Sequence, residues 1–302
     1  MSQTAIKFSS RMKVLVFGSG YTGRFFAKDL RASGVNVLCS RTDAKSPGAD
    51  FVFDSNKNKL PDDSILDGVT HVLSCIPPSE NEGDPVLNLL KDKLDKLPIE
   101  WTGYLSTTGV YGNTKGEWVD EQFSPKPLQK RSIRRLRCEQ QWQESGLPNQ
   151  IFRLPGIYGP GRSAIDTILK KKVILINKKD QVFSRIYVED ISQALIHIIS
   201  LSSQQDIPKI INISDNKPSS QIEVISYAAK LLQKGLPEPI DFNEAKESLS
   251  PIALSFWEEN RRVSNSLLCK KLGYRLRYPD YKSGINKCFD INKIKKTNHN
   301  IG

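Results

Sequence analysis

The residues best suited to chemistry lie near the start of the chain, between a predicted strand and a predicted helix. Lys13 to Phe17 (KVLVF) is a run typical of a strand buried on both faces. It is followed by Gly18-Ser19-Gly20-Tyr21-Thr22-Gly23 and then by helical spacing up to Ser33. The first glycine permits a tight turn, the second admits a pyrophosphate, and the third lets the helix pack closely on the strand. With the N–H groups of the helix N-terminus, the pattern predicts a dinucleotide site at Gly18, Gly20, Tyr21, Thr22 and Gly23.

The end of the second predicted strand, Val35 to Cys39, indicates which dinucleotide is bound. An NAD site places a carboxylate about 20 residues beyond the glycines to bind the ribose, but no carboxylate occurs here before Asp43. Arginine and hydroxyl groups can instead bind a 2′-phosphate. The sequence therefore favours NADP, with NAD as the alternative, and predicts contacts from Arg24, Ser40 and Arg41. A plain solvated role for Arg41 stays open, and Asp54 is a candidate contact to the adenine amino group.

Elements of two kinds must position this site, because short apolar runs alternate with amphipathic ones from Lys13 to Leu154. This alternation predicts an α/β fold, a doubly wound parallel sheet of the Rossmann type with a smaller C-terminal substrate lobe. We expect a dinucleotide-binding domain over 12–162, to which 185–215 return, and a lobe built from 163–184 and 216–288. Residues 1–11 and 289–302 are expected to be disordered tails.

Composition narrows the class of protein. The 302 residues carry 44 Lys and Arg against 33 Asp and Glu, a net charge of +11 that favours ligands bearing phosphate or carboxylate. The five cysteines form no CxxC pair, which indicates a reducing compartment and argues against a structural zinc site or a disulfide framework. Apolar runs are too short to span a membrane. We therefore expect a cytoplasmic protein without metal, membrane or nucleic-acid partners.

Four further segments carry a family resemblance: Leu105 to Gly112 (LSTTGVYG), Arg153 to Gly161 (RLPGIYGPG), Arg185 to Asp190 (RIYVED) and Asn212 to Asp215 (NISD). Together with the glycine loop, they resemble extended short-chain dehydrogenases/reductases, the NAD-dependent epimerase/dehydratase family. The resemblance covers roughly Lys13 to Tyr281, and it is closest to an atypical subgroup of YeeZ-like proteins, which the segments at Arg262 to Asn265 and Tyr278-Pro279 also resemble.

The resemblance implies a catalytic Ser/Thr, Tyr and Lys, and the tyrosine is absent here. Thr107 matches the Ser/Thr position, whereas Arg135 stands at the Lys position and Arg131 at the Tyr position. Arg135 can still bind the nicotinamide ribose, but a permanently protonated Arg131 cannot act as a base. The candidates for a substitute base are Tyr111, Tyr158 and the acidic residues Glu117, Asp120 and Glu121. A structural role is the alternative for each of them.

The basic residues indicate the substrate. Arg131 lies in a basic helix, and Arg185 shares its strand face with Phe183, where related enzymes often carry a diphosphate-binding arginine. We expect Arg131 and Arg185 to bind a small, anionic, hydroxyl-bearing molecule, although the basic helix is also consistent with a solvated surface. The implied activity is an NADP-dependent oxidoreductase or epimerase. The alternative is a non-catalytic NADP-binding redox sensor or scaffold, and the resemblance is compatible with a homodimer.

Overall fold

The protein is described from a computed structural model, whose described residues are 8–80, 83–202 and 204–299. A seven-stranded sheet has the strand order β11-β7-β5-β4-β1-β2-β3. Its strands are β1 (Lys13–Phe17), β2 (Asn36–Arg41), β3 (Phe51–Val52), β4 (His71–Ser74), β5 (Trp101–Thr107), β7 (Asn149–Leu154) and β11 (Ile210–Asn212). The helices that alternate with them are α1 (Tyr21–Ala32), α2 (Asp63–Leu66), α3 (Pro85–Leu94), α4 (Lys130–Glu144) and α6 (Val188–Ser202). The α/β fold predicted from the sequence is confirmed.

Strand β1 forms the centre of the sheet because it is apolar on both faces. Val14 pairs with Val37 of β2 on one side and with His71 of β4 on the other, and both pairings are parallel. Phe17 at its end is fully buried and meets the rings of Phe51 and Phe53 edge-on. The chain winds from β1 to β3 in one direction and from β4 to β11 in the other, so the switch point lies between β1 and β4. Ligands of doubly wound sheets bind at this point, beyond the carboxyl ends of the strands.

The chain divides into two compact units. Unit 1 comprises the described residues of Met1–Val110, Lys130–Arg153 and Ile191–Ile211; unit 2 comprises those of Tyr111–Gln129, Leu154–Asp190 and Asn212–Gly302. This division differs from the predicted boundaries, because 111–129, 154–162, 185–190 and 212–215 group with unit 2. The reason is local pairing: β6 (Trp118–Val119) pairs with β13 (Arg262–Val263), and β8 (Gly156–Tyr158) pairs with β10 (Arg185–Tyr187).

Unit 2 has a core of its own between helices. Its helices are α5 (Ala164–Leu169), α7 (Gln221–Leu232), α8 (Phe242–Ala245), α9 (Pro251–Trp257) and α10 (Tyr281–His299). Its remaining strands are β9 (Ile176–Asn177) and β12 (Ile240–Asp241), which pair in parallel. Buried side chains of α5, α7 and α10, among them Ile165, Ala228 and Ile285, form one apolar cluster. Each ladder of this unit is only two or three residues long.

A buried ion pair holds α4 against the sheet in unit 1. Arg153 of β7 donates through Nη2 to Oε2 of Glu139 at 2.7 Å, and both side chains are about 2% exposed or less. The Ser106 hydroxyl of β5 donates to Oε1 of the same carboxylate at 2.5 Å. Arg153 begins one of the segments that carry the family resemblance, and the structure gives it a structural role as the partner of Glu139.

Asp190 has an equivalent role in unit 2. Its Oδ1 accepts hydrogen bonds from the Tyr274 hydroxyl at 2.9 Å and from the Arg277 N–H at 2.8 Å. Its Oδ2 accepts from the Tyr278 N–H at 2.9 Å. Burial raises the pKa of this carboxyl. One carboxylate therefore connects the first turn of α6 to the segment before α10.

The expectation of disordered tails is wrong at the C-terminal end, where α10 continues to His299. Residues 1–7 and 300–302 of the two predicted tails lie outside the described residues. None of the helices within the described residues has the length and hydropathy to cross a bilayer.

Candidate functional site

A cleft of about 590 Å³ opens in unit 1 at the switch point of the sheet. Its walls are the glycine loop, the ends of β2 and β3, and the segment that follows β4. Five of the residues predicted to bind a coenzyme line this cleft: Gly18, Gly20, Ser40, Arg41 and Asp54. Tyr21, Thr22, Gly23 and Arg24 stand in the first turn of α1, next to this lining.

Glycine occurs at the three positions of the loop for different structural reasons. Gly18 has φ +83, and a Cβ on it would lie 2.9 Å from Cγ1 of Ile76. A Cβ on Gly23 would lie 3.0 Å from the Gly18 carbonyl oxygen and 3.2 Å from Val16. By contrast, a Cβ on Gly20 would meet no atom closer than 3.9 Å. The fold itself therefore requires glycine at the first and third positions, whereas the second leaves open space at the N-terminus of α1, as a bound pyrophosphate requires.

The rim at the end of β2 differs in part from expectation. The Ser40 hydroxyl is buried and accepts a hydrogen bond from the Gly18 N–H at 2.9 Å, so it holds the loop rather than facing solvent. Arg41 lines the cleft, and its Nη1 donates to the Ser19 carbonyl at 2.9 Å. Arg24 is exposed and lies beside Gly48. Arg41 is therefore the cation that this wall of the cleft presents.

Asp54 lies in the wall after β3. It is buried, and its Oδ1 accepts a hydrogen bond from the Asn56 N–H at 3.1 Å, which caps a short 3₁₀ turn. Its carboxylate thus has a local structural partner as well as a place in the lining of the cleft. The proposed contact to an adenine amino group remains a prediction.

Arg135 of α4 occupies a fixed position under the ends of β4 and β5. Its Nη1 donates to the Leu105 carbonyl at 2.7 Å and to the Tyr104 hydroxyl at 3.1 Å, and the Ile76 carbonyl lies 3.4 Å away. Ile76 also lines the cleft. Burial raises the pKa of Tyr104 well above its ordinary value, so this phenol is not poised as a base. Arg135 is therefore held beside the cleft, and its match to the lysine position of the resemblance remains a prediction.

Thr107 lies at the end of β5 against the first turn of α4. Its Oγ1 accepts a hydrogen bond from the Gly109 N–H at 3.1 Å, which leaves the hydroxyl hydrogen available to a ligand. A Cβ on Gly109 would lie 3.3 Å from this Oγ1 and 2.5 Å from the Ser132 hydroxyl. Ser132 follows Arg131, which is half-buried in the same turn. The structure therefore places Arg131 at the helix start that packs beside Thr107.

Tyr111 belongs to unit 2 and is not placed to exchange protons with solvent or ligand. Its side chain is 1% exposed, and its hydroxyl donates to Oδ1 of Asn212 at 2.8 Å. The ring packs with Val119, Phe123 and Val263. Sequence reasoning assigned it a candidate catalytic role, but the structure uses it to connect two segments of the unit.

The residue after Tyr111 must be glycine for a steric reason. Gly112 has φ +72, and a Cβ on it would overlap the Lys126 carbonyl oxygen. We expect Gly112→Ala to lower the free energy of unfolding by more than about 2 kcal/mol, because left-handed strain and a backbone collision add together. Gly273→Ala is the matched control, since φ is +73 there but no atom lies within 4 Å. Equal losses for both variants in urea unfolding would contradict this explanation.

Tyr158 and Arg185 line a second cavity, of about 290 Å³, within unit 2. Burial raises the pKa of Tyr158, whose hydroxyl donates to the Asp280 carbonyl at 3.3 Å. Arg185 donates to the carbonyls of Phe183 at 2.8 Å and Ser219 at 2.7 Å, and burial lowers its pKa. The cations of the cavity outnumber its one carboxylate, because its lining also includes Arg162, Lys170, Lys172 and Asp166. The cavity is therefore suited to an anion.

The described residues contain no group of three or more His, Cys, Asp or Glu side chains that could hold a metal ion. The strand order and the glycine cleft define a doubly wound protein of the Rossmann class. Residues 14–214 match the profile of the NAD dependent epimerase/dehydratase family. Since this match spans more than half of the sequence, the chain belongs to that family. The finer YeeZ-like assignment stays a prediction.

Solved structures share the fold of this chain. A functionally unknown conserved protein from Silicibacter pomeroyi DSS is 37% identical, with a TM-score of 0.83 over 93% of this chain and 99% of its own. A putative NAD-dependent epimerase/dehydratase from Methylobacillus flagellatus is 23% identical, with a TM-score of 0.74 over 94% and 100%. MoeE5, in complex with UDP-glucose and NAD, is 19% identical, with a TM-score of 0.73 over 94% and 99%. The last two show the fold alone. No curated protein matches the sequence significantly.

Proposed function

We propose that the protein is an NADP-dependent oxidoreductase or epimerase that acts on a small, anionic, hydroxyl-bearing substrate. The observation that carries the proposal is the space at Gly20, where no protein atom requires glycine and a Cβ would project into a cleft-lining turn. This space and the adjoining N–H groups of α1 suit a pyrophosphate. Membership of a family named for NAD dependence supports a nicotinamide dinucleotide, as does the NAD in the MoeE5 complex.

The preference for NADP rests on Arg41. This guanidinium lines the cleft beside the glycine loop, and the segment from Ser40 to Thr42 offers no carboxylate to a ribose. A guanidinium binds phosphate with two parallel hydrogen bonds, and these are stronger than bonds to a neutral hydroxyl. A 2′-phosphate at this wall would therefore accept charge-assisted hydrogen bonds from Arg41, which an unmodified ribose would not.

We expect Arg41→Ala to weaken NADPH binding about tenfold or more in calorimetry while changing NADH binding little, because only NADPH carries the extra phosphate. The matched control is Lys45→Ala, which removes one positive charge from an exposed position outside the cleft lining. Equal losses for both coenzymes, or an equal effect of Lys45→Ala, would contradict the assignment of Arg41.

We assign the binding of the substrate and of the nicotinamide ribose to four further residues. Thr107 would donate its hydroxyl hydrogen to a substrate oxygen, since Gly109 already occupies one lone pair of Oγ1. Arg135 would bind ribose hydroxyls with donors not used by the Leu105 and Tyr104 oxygens. Arg131 supplies a permanent positive charge for an anionic substrate, and Arg185 adds to the basic cavity of unit 2. A bound nicotinamide would supply hydride transfer.

The two candidate phenols are expected to be dispensable for proton transfer. The hydroxyl of Tyr111 is buried and already donates to Asn212, and burial raises rather than lowers the pKa of Tyr158. We therefore expect Tyr111→Phe and Tyr158→Phe to keep coenzyme-dependent turnover, with any loss accounted for by stability. A fall of about 100-fold or more in kcat for a folded variant, the range of general acid–base catalysis, would restore that phenol as a catalytic residue.

The burial of both candidate phenols, Tyr111 and Tyr158, also favours a second candidate function, a non-catalytic NADP-binding redox sensor or scaffold. Stereospecific loss of deuterium from labelled NADPH, measured across a panel of hydroxy and keto acids and their phosphate esters, separates the two functions. Exchange supports the enzyme. Tight NADPH binding without exchange on any member of the panel supports the sensor.

A further inference from the structure

Ser19, the second residue of the glycine loop, is fully buried, although the glycines on either side of it line the cleft of unit 1. It is not part of that lining, and its hydroxyl instead donates to the Gly48 carbonyl at 3.1 Å. The G-x-G-x-x-G pattern leaves this position open, because the glycines alone shape the turn. The hydroxyl of Ser19 is therefore a feature of this chain that the motif does not account for.

The backbone of Ser19 is bound to the end of β2 on both sides. Its N–H donates to the Ser40 carbonyl at 2.9 Å, and its own carbonyl accepts a hydrogen bond from Nη1 of Arg41 at 2.9 Å. An arginine side chain has many rotamers, and holding it in one of them before a ligand arrives removes part of the entropic cost of binding. The Ser19 carbonyl thus orients the guanidinium and leaves its remaining N–H groups for an anion.

The connection between β2 and β3, residues 43–50, is attached to the rest of unit 1 at two points. At its end, Oδ2 of Asp50 accepts a hydrogen bond from the Cys39 N–H at 2.8 Å. Near its middle, the Gly48 carbonyl accepts the hydrogen bond from the Ser19 hydroxyl. Within the described residues, the remaining hydrogen bonds of the connection join its own members to one another. The Ser19 hydroxyl is therefore what binds the outer part of this connection to the glycine loop.

Gly48 itself lies against the first turn of α1. Its φ is +81, and a Cβ on it would be 3.6 Å from Oγ of Ser19 and 3.7 Å from Cδ of Arg24. These are ordinary contact distances, so the connection packs on the glycine loop without overlap. Arg41 stands two residues before the connection begins. One buried serine thus holds this wall of the cleft twice, by its hydroxyl on the connection and by its carbonyl on the guanidinium.

We propose that Ser19 is a positioning residue for coenzyme selectivity. Its hydroxyl holds the connection 43–50, its carbonyl holds Arg41, and together they keep the guanidinium in place for a 2′-phosphate. Ser19 is buried outside the lining of the cleft, so it acts through Arg41 and not by contact with the coenzyme. The inference rests on the proposed function, because it requires an NADP site at this wall.

A double-mutant cycle of Ser19→Ala and Arg41→Ala tests the proposal, with the dissociation constants of NADPH and NADH measured by calorimetry. We expect Ser19→Ala to weaken NADPH binding about fivefold, the size of one hydrogen bond, and to change NADH binding by less than about twofold. In the Arg41→Ala background, Ser19→Ala should cause no further loss of NADPH affinity, because two residues that act as one unit are not additive.

Ser192→Ala is the matched control for the lost hydroxyl. Ser192 is also a fully buried serine of unit 1, and its hydroxyl donates to Oδ2 of Asp29 at 2.6 Å. This variant should leave the ratio of the two dissociation constants unchanged. Gly48→Ala and Gly34→Ala form a second pair, because φ is +81 and +80 at these positions and both variants carry the same backbone strain. Only Gly48→Ala, which disturbs the acceptor of the Ser19 hydroxyl, should reduce the preference for NADPH.

Equal losses of NADPH and NADH affinity in Ser19→Ala would overturn the proposal, because the serine would then serve the pyrophosphate turn. Losses that add fully to those of Arg41→Ala, or an equal effect of Ser192→Ala, would overturn it as well. If Arg41→Ala lowers the preference for NADPH and Ser19→Ala does not, this inference fails while the proposed function stands. If the wild-type protein binds neither coenzyme, both fail.

Discussion

Replacing Arg153 with methionine is expected to lower the free energy of unfolding by about 3–5 kcal/mol, because the variant leaves the Glu139 carboxylate buried without its counter-charge. The pair is almost completely excluded from water, and three hydrogen bonds join it. Chemical unfolding followed by circular dichroism measures the loss.

The double variant Glu139→Gln with Arg153→Met supplies the control. Replacing both partners of a buried ion pair is often nearly neutral, and glutamine can still accept the hydrogen bond from Ser106. We therefore expect the double variant to recover most of the stability lost in Arg153→Met. A double variant as unstable as the single one would show that packing, rather than charge, sets the loss.

Gly20→Ala is expected to abolish most coenzyme binding, by tenfold or more in Kd, while the free energy of unfolding changes by less than about 1 kcal/mol. The reason is the space around this residue: the nearest atom to a Cβ is the Gly18 carbonyl oxygen at 3.9 Å. The methyl group would therefore meet only a bound pyrophosphate. Calorimetry with NADPH and urea unfolding provide the two measurements.

Gly23→Ala, three residues later in the same loop, should behave in the opposite way. Its Cβ would press on the Gly18 carbonyl and on Val16 at 3.0 and 3.2 Å, so overpacking should cost about 1–3 kcal/mol of stability. If Gly20→Ala destabilised the fold as much as Gly23→Ala and retained coenzyme affinity, the cleft would not be a pyrophosphate site.

The sheet and the glycine loop were predictable because their signals are local. The continuous apolar run Lys13–Phe17 is enough to predict a buried strand. The need for glycine at Gly18 follows from its positive φ and its immediate neighbours. Periodicity over ten or so residues is sufficient for such features. The α/β class follows from their alternation.

The partners of individual side chains were not predictable in this way. Ser40 is predicted from the sequence to contact a 2′-phosphate, but the fold brings its hydroxyl to the Gly18 N–H, 22 positions earlier. Nothing in the sequence around Glu139 indicates its partners, Ser106 and Arg153, which stand 33 and 14 positions away. Tyr111 reads as a candidate acid because its segment resembles a catalytic one, whereas Asn212, its partner, is 101 positions distant.

The C-terminal helix was missed because its composition misled. The segment after Phe289 is rich in Lys and Asn, residues typical of a solvated tail. Burial of Tyr281, Ile285 and Cys288 anchors the first turns of α10 in the core of unit 2, and the helix propagates beyond them to His299. Once the first turns of a helix are fixed, each later residue extends it at little cost, so the later residues need no buried contacts of their own.

The unequal lengths of the ladders imply a hierarchy of opening. The central strands β1, β4 and β5 exchange hydrogen bonds over runs of four residues, whereas β6, β9, β12 and β13 contribute two residues each. Amide protons at Trp118 and Arg262 should therefore exchange with deuterated solvent long before those of Leu15 and Val72. The short strands around Trp118 and Arg262 thus belong to the part of the molecule that opens first.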